Sequence, residues 1–398
     1  MIFLKLVVQK YGGSSLASIE RIKKITEKIV KTVKNGKKLI VVVSAMGKTT
    51  DKLVFLARRL SEKPNPRELD MLLSSGEQIS AALLSIYLDR IGMKAVSLNA
   101  FQARILTTSD FNSARIKDID DRKLRSLAFH NDVLLVTGFQ GINENDELTT
   151  LGRGGSDTSA VAIAAKLGTI CEIYSDVAGI YTTDPRIFPQ AKKLSYITYD
   201  EMLEFSALGA RVLHSRSVEI AKKYSVPIYC ASSFSNEEGT WVMGKLPEWL
   251  EQPVVTGATI EKNQVKVSVY SLKNSKATAD VFRELAEKGF NVDMISLVSN
   301  SGDINLSFTI VESNSVDVQK AMRDLDCEIK ITGGFSKVSI IGLGMKYQRG
   351  VAAKFFEVLR KKNIEPEMIT TSEIKISCLV HEDKAEDLLK ELCQVFGL

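Results

Sequence analysis

Histidine is the scarcest reactive side chain in this 398-residue chain: His130, His214 and His381 are all it has. Chemistry that runs on a histidine base therefore has few places to sit. The five cysteines, Cys171, Cys230, Cys327, Cys378 and Cys393, are scattered, odd in number and never spaced as CxxC. That pattern speaks against a zinc site or a disulfide framework and for a reducing cytoplasm. Apolar runs are short as well; residues 39–43 (LIVVV) fall far below the roughly 20 residues of a membrane span. The opening MIFL leads straight into a strand-like run, with no basic segment or cleavage site of a signal peptide. An excess of only +5 charges over 44.0 kDa does not make a nucleic-acid-binding surface. What remains, 44% hydrophobic and 25% charged residues, is globular and excludes a disordered or collagen-like chain. At roughly 150 residues per domain, the length suggests two to four domains.

Strand-like and helix-like segments alternate through about the first 235 residues, as in an α/β layer fold. Residues 3–9 read as a buried strand closed by Tyr11-Gly12-Gly13-Ser14-Ser15. Ile19, Ile22, Ile25 and Ile29 then mark an amphipathic helix. Residues 39–43, 133–136 and 170–174 are further buried strands, and 157–167 is a small-residue helix ended by Gly168. Such runs of Val, Leu and Ile suit a mostly parallel sheet covered on both faces. Residues 236–253 read as a linker. From 254 onward the chain nearly repeats itself: Lys266-Val267-Ser268-Val269 matches Lys337-Val338-Ser339-Ile340, and Leu285 matches Leu359. Likewise Met294-Ile295-Ser296 matches Met368-Ile369-Thr370, and residues 303–307 match 373–377. The offsets are 71, 74, 74 and 70, so the elements keep their order while the loops drift. Each unit reads β-α-β-β-α-β, the ferredoxin-like plan, in a pair spanning 254–335 and 336–398.

Two familiar phosphate motifs are absent. Gly47-Lys48-Thr49 lacks the P-loop's first glycine, because position 42 is Val42, and Gly152-Arg153-Gly154-Gly155-Ser156-Asp157 carries Asp157 where GxGxxG needs glycine. Instead there are strand-to-helix turns rich in Gly, Ser and cations. In Lys10-Tyr11-Gly12-Gly13-Ser14-Ser15, glycines let backbone N–H groups approach an anion at a helix start, and Lys10 adds a full charge. A tight turn with an N-cap explains the same residues equally well. Residues 149–159 hold three glycines, Arg153 and several hydroxyls, more than one helix cap requires, and Arg153 offers a fork for a carboxylate or phosphate. Residues 175–186 mix turn residues with Tyr181 and Arg186, which suits a base and its phosphates. Glu77 stands at another helix start, where it serves the dipole as readily as a ligand.

Taken in order, residues 8–15, 44–47, 75–77, 151–157, 175–186 and 209–214 resemble the motifs of aspartokinases, and the likeness runs the length of the chain. The family's KFGGTS stands here as Lys-Tyr-Gly-Gly-Ser-Ser, and the lysine of its GAKVLH is Arg211. The resemblance implies an amino-acid-kinase-type α/β domain (1–235), a mostly parallel sheet sandwiched by helices, followed by two ferredoxin-like ACT domains. It also implies that 254–260 is a strand of the second ACT unit, making the first an insertion. The implied reaction is phosphorylation of the L-aspartate β-carboxylate by ATP, with Mg2+ carried on the nucleotide, the first step towards lysine, threonine and methionine. A carboxylate is already ionised at neutral pH, so scarce histidine fits a reaction without a general base.

By the family's pattern, Lys10 bridges phosphate oxygens and Asp157 holds Lys10 in place, an organiser and not a base. Gly12, Gly13 and Ser14 cradle phosphates; Arg153 takes the α-carboxylate of aspartate, Glu77 its ammonium, and Ser44 and Ser156 add contacts. Ser175, Asp176, Tyr181, Arg186 and Arg211 form the nucleotide side. The ACT pair resembles amino-acid sensors that take lysine or threonine in a homodimer or tetramer, through Asn291, Asp293, Met294, Ile295, Ser296, Thr371, Glu373 and Ile374. No nucleic acid or membrane partner is expected. A sensor that kept the fold without catalysis, and a sibling kinase acting on glutamate, carbamate or a nucleoside monophosphate, are the competing readings.

Overall fold

The computed structural model describes residues 6–208, 212–245, 253–300, 303–323, 325 and 327–398. Within these, one compact unit comprises 6–180, 193–206 and 212–245, and a second comprises 181–192, 207–208 and 253–398.

The first unit is built on an eight-stranded sheet. Its strands lie in the order Tyr196–Thr198, Thr240–Met243, Ile228–Ser232, Cys171–Ser175, Leu6–Tyr11, Lys38–Val43, Val133–Thr137 and Ala95–Leu98. Every pairing is parallel except that of Ile228–Ser232 with Thr240–Met243. From Leu6–Tyr11 the chain winds towards one edge, and from Cys171–Ser175 towards the other. The carboxyl ends of these two neighbours are therefore a topological switch point, where open α/β sheets hold ligands. Side chains alternate along the first strand. Val7 and Tyr11 join Leu39, Val41 and Val43 beneath helices Ile19–Lys34 and Pro66–Arg90. Lys10 points to the opposite face, where helix Gly155–Leu167 packs.

By length and hydropathy Pro66–Arg90 is long and apolar enough to cross a membrane. It is a core helix instead, because its inner face carries buried Asp70 and Glu77, each bonded to a neighbouring segment. A smaller four-stranded sheet, Ile116–Ile119, Ile105–Thr107, Gln140–Ile142 and Leu148–Thr150, leads into the loop that carries Arg153.

The second unit is one six-stranded antiparallel sheet, in the order Asp293–Asn300, Asp303–Val311, Gly257–Leu272, Glu328–Ile341, Lys375–His381 and Met368–Thr371. Two long strands serve two cores. Residues 264–270 pair with 328–335 over a core of Val267, Leu285 and Phe308. Residues 257–261 pair with 337–341, and Ala258 packs with Val338, Ile340, Phe355 and Leu388. Between the halves the register shifts, with Asn263 at φ 58 and Gly334 at φ 84 absorbing the bend. Helix Ser275–Glu287 opens on Asn274, whose side chain accepts a hydrogen bond of 3.0 Å from Ala277 N. Residues 181–192, placed by the sequence with the first domain, cluster with this second unit instead. The cause is apolar burial: Phe188 sits in the later core, and Ala258 N donates to Thr182 O at 2.8 Å.

Phe355 is fully buried at the centre of that core. Phe355→Ala should lower stability by about 3–5 kcal/mol, read as a reduced urea midpoint at unchanged slope.

Candidate active site

The first strand delivers Lys10 to the switch point, and the first turn of helix Gly155–Leu167 delivers Asp157. Lys10 Nζ lies 2.6 Å from Asp157 Oδ1, with the two side chains only 12% and 13% exposed. The alignment falls outside that of a hydrogen bond, so the contact is an ion pair whose ammonium keeps donors for other oxygens. Beside it two turns interlock: Ser44 N donates to Tyr11 O at 3.2 Å, and Gly47 N to Gly13 O at 2.9 Å. A Cβ on Gly13 would stand 2.8 Å from Ala45 O, so only glycine lets the turns approach so closely. Gly12 departs from its expected role in the cradle. Its N–H is taken by Tyr174 O at 3.3 Å, and its missing side chain leaves room for Lys10 Nζ instead. The N–H groups of Gly13 and Ser14 have no partner among the described residues and begin a short helix, Gly13–Leu16.

Arg153 sits on a loop pinned from three sides. Asp70 is fully buried and accepts from Asn112 N at 2.9 Å, Thr150 N at 2.7 Å and Thr150 Oγ1 at 2.6 Å. Arg216 donates to Leu151 O at 2.8 Å and Ala114 O at 2.7 Å. Gly154, at φ 68, packs so tightly on His214 that a Cβ would meet the ring at 2.2 Å. Arg153 itself is exposed, and its guanidinium has no ion-pair partner among the described residues. Helix Gly155–Leu167 starts without a side-chain cap hydrogen bond, and Asp157 is the acidic residue of its first turn. Ser156 is buried there against Gly138, where a Cβ would stand 2.8 Å from its own.

Glu77 closes the group. Its Oε1 accepts from Ala45 N at 2.9 Å, one residue beyond Ser44, whereas Oε2 is buried without a partner. Burial pushes its pKa up from 4.5 to about 7, partly offset by the Ala45 hydrogen bond. A carboxylate so placed is poised for a cation that supplies the missing donor.

Lys10, Gly12, Gly13, Ser14, Ser44, Glu77, Arg153, Ser156 and Asp157 all belong to the first unit, as do Ser175 and Asp176 at the end of the neighbouring strand. Ser175 Oγ accepts from Val177 N at 3.2 Å, and Asp176 is exposed. Tyr181 and Arg186 fall in the second unit, and Arg186 grips Asp184 in a fork with a shortest contact of 2.6 Å. That guanidinium holds the Asp184 carboxyl below its usual range. Arg211 lies outside the described residues. Sequence reasoning missed Asp70 and Arg216, the loop's anchors; a lone charge in a helix carries no signal of the backbone groups it will meet.

Among the residues expected to bind an effector, Asp293 Oδ2 contacts the buried Lys337 Nζ, which also lies 2.7 Å from Glu261. Met294, at φ 45, packs with Phe335, Met368 and Leu379. Ser296 pairs with Ser307 and Thr371 with Ile376, while Ile374 O accepts from Gly342 N at 3.0 Å. Asn291 and Ile295 are exposed, and Glu373 pairs with Lys346 at 2.7 Å.

A parallel sheet with a cationic switch point, followed by a βαββαβ pair, defines a class. Residues 5–232 match the amino acid kinase family, and residues 338–396 match the ACT domain. The aspartokinase of Geobacillus stearothermophilus is 45% identical over 398 residues, covering 99% of this chain and 97% of that one. E. coli aspartokinase III in complex with aspartate and ADP shares the fold at TM-score 0.82, with 24% identity and coverage of 99% and 100%. The same enzyme with lysine and aspartate gives TM-score 0.78 at 25% identity, with 98% and 99% covered. The chain belongs to the aspartokinase family.

Glu77 offers a test that needs no assay. Its raised pKa means that ionisation opposes folding increasingly between pH 4.5 and about 7. Glu77→Gln should therefore match the parent's thermal stability near pH 4.5 and exceed it at pH 8, by up to about 3 kcal/mol.

Proposed function

We infer that this chain is an aspartate kinase, which moves the γ-phosphoryl group of ATP to the β-carboxylate of L-aspartate. A β-carboxylate oxygen forms the new P–O bond as the bond to the ADP oxygen breaks, giving 4-phospho-L-aspartate and ADP. The nucleophile is ionised from the start, so no proton moves, and the barrier is repulsion between carboxylate and polyphosphate. The observation that carries the reading is Lys10, held 2.6 Å from Asp157 beside the free N–H groups of Gly13 and Ser14. Fixed positive charge and aligned donors act where charge develops, and need no reorganisation during transfer. Asp157 is the positioning residue that keeps the ammonium in place.

Arg153 takes the α-carboxylate through a bidentate fork and Glu77 the α-ammonium, with Ser44 and Ser156 beside them. Together they read an α-amino acid and leave its side-chain carboxylate facing the phosphates. Ser175 and Asp176 border the nucleotide, and Arg211 joins them by its place in the family motif. Tyr181 and Arg186 are kept as nucleotide residues on the same ground alone. Magnesium arrives on the ATP phosphates, whose oxygens supply the hard ligands it prefers.

The two βαββαβ units form the regulatory part, one of them inserted into the other. Lysine or threonine is the effector, on the precedent of the lysine complex of E. coli aspartokinase III. The assembly is a homodimer through these units, or a tetramer of such dimers. Five scattered cysteines, none spaced as CxxC, suit the cytoplasm.

Lys10→Ala should cut hydroxamate formation from aspartate, ATP and hydroxylamine by about 10³-fold or more, with the circular dichroism spectrum preserved. Turnover near the parental rate would remove Lys10 from the mechanism. Arg153→Ala should raise the aspartate KM about 10–100-fold and leave the ATP KM in place; the reverse split would assign Arg153 to the nucleotide. Because Glu77 must be ionised to hold the ammonium, kcat/KM for aspartate should fall below about pH 7.

A further inference from the structure

The second unit contains one lysine that is almost wholly buried and shared between two carboxylates. Lys337 projects from strand Glu328–Ile341 with its side chain 4% exposed. Glu261, directly opposite on the neighbouring strand, lies 2.7 Å away and gives the ammonium an ion-pair partner besides Asp293. Asp293 reaches the same ammonium from the other βαββαβ core, and its side chain is 52% exposed. The approach depends on an irregular backbone: the register slips between Asp293 and Ser296, and Met294 holds φ 45, a conformation costly for a non-glycine residue. Met294 then packs against Phe335, Met368 and Leu379, tying the bulge to strands Glu328–Ile341, Met368–Thr371 and Lys375–His381.

We propose that the Lys337 ammonium is a built-in competitor for the effector's ammonium at Asp293, so that an amino-acid effector binds by displacing it. The inference rests on the reading of Asp293 as an effector residue and adds what controls that residue's availability. Displacement is inexpensive because Lys337 keeps Glu261 after letting Asp293 go, so no buried charge is stranded. Asp293, half in solvent, is the partner an incoming ligand can reach. The exchange also removes the only direct ion pair among the described residues that ties Asp293 to the second core, which gives effector binding a structural consequence. A ligand shifts an equilibrium only by differential contacts, and this exchange supplies one.

The test uses the full-length protein and two probes, L-lysine and L-threonine, with each variant normalised to its own uninhibited rate. Lys337→Met should lower the half-inhibiting concentration of at least one probe tenfold or more, or create inhibition where the parent shows none. Lys337→Met with Glu261→Gln removes the second carboxylate along with the ammonium, and should show the same shift if the single variant folds poorly. Unchanged or weaker inhibition in the folded variants overturns the proposal, because Lys337 would then support the ligand or ignore it. Asp293→Asn separates the two levels. Parental inhibition in Asp293→Asn removes Asp293 from effector binding and this inference with it. Lost inhibition in Asp293→Asn, without sharpening in the Lys337 variants, leaves the effector residue standing and overturns the competition alone.

Discussion

Two opposite charges held at a strand end and a helix start organise the first unit: Lys10 and Asp157, 2.6 Å apart. Lys10 needs a strand that ends at the switch point and a neighbouring turn without side chains, which Gly12 and Gly13 provide. Asp157 needs a helix that starts beside that strand, and Gly154 at φ 68 starts it there. The loop leading to this start is pinned by Asp70 and Arg216, so the same anchors that place Arg153 also place Asp157. Fixed charge and open backbone donors are thus features of one junction, where developing negative charge meets donors already in place.

Much of this was legible before any coordinates. Parallel strands announce themselves as continuous Val, Leu and Ile runs, and residues 39–43 and 133–136 are both fully buried. Lys10, Arg153 and Asp157 stood out because glycine-rich turns after such strands are where backbone and charge meet ligands. The switch point itself was not legible, since strand order follows from how the chain winds and not from local composition. Nor were the buried hydrogen bonds of Asp70, or the capture of the Gly12 N–H by Tyr174, both of which are tertiary accidents of sequence-distant neighbours. Glu77 is an intermediate case. Its place at a helix start suggested a dipole partner, but it lies in the middle of a 25-residue helix, and its burial is what matters.

The C-terminal repeat was readable from offsets near 71 residues, because equivalent strands and helices recur in order. What the offsets did not show is that two long strands are each divided between the cores, nor that residues 181–192 join the later core through Phe188. Short apolar anchors in an otherwise polar stretch give no periodic signal. Lys337 and Lys266, equivalent in the repeat, illustrate the same limit: Lys337 is buried between Glu261 and Asp293, whereas Lys266 makes a more exposed pair with Glu367. Repetition reveals the plan of a unit and not the specialisation of its copies.

The central claim is that this junction selects L-aspartate as phosphoryl acceptor. Its most direct measurement is ATP consumption with aspartate, glutamate and uridine monophosphate as separate acceptors, with the product's acyl phosphate trapped by hydroxylamine. Aspartate should give hydroxamate in step with ADP, and the other two should give little of either. Uridine monophosphate or glutamate turning over with kcat/KM equal to that of aspartate would contradict the account.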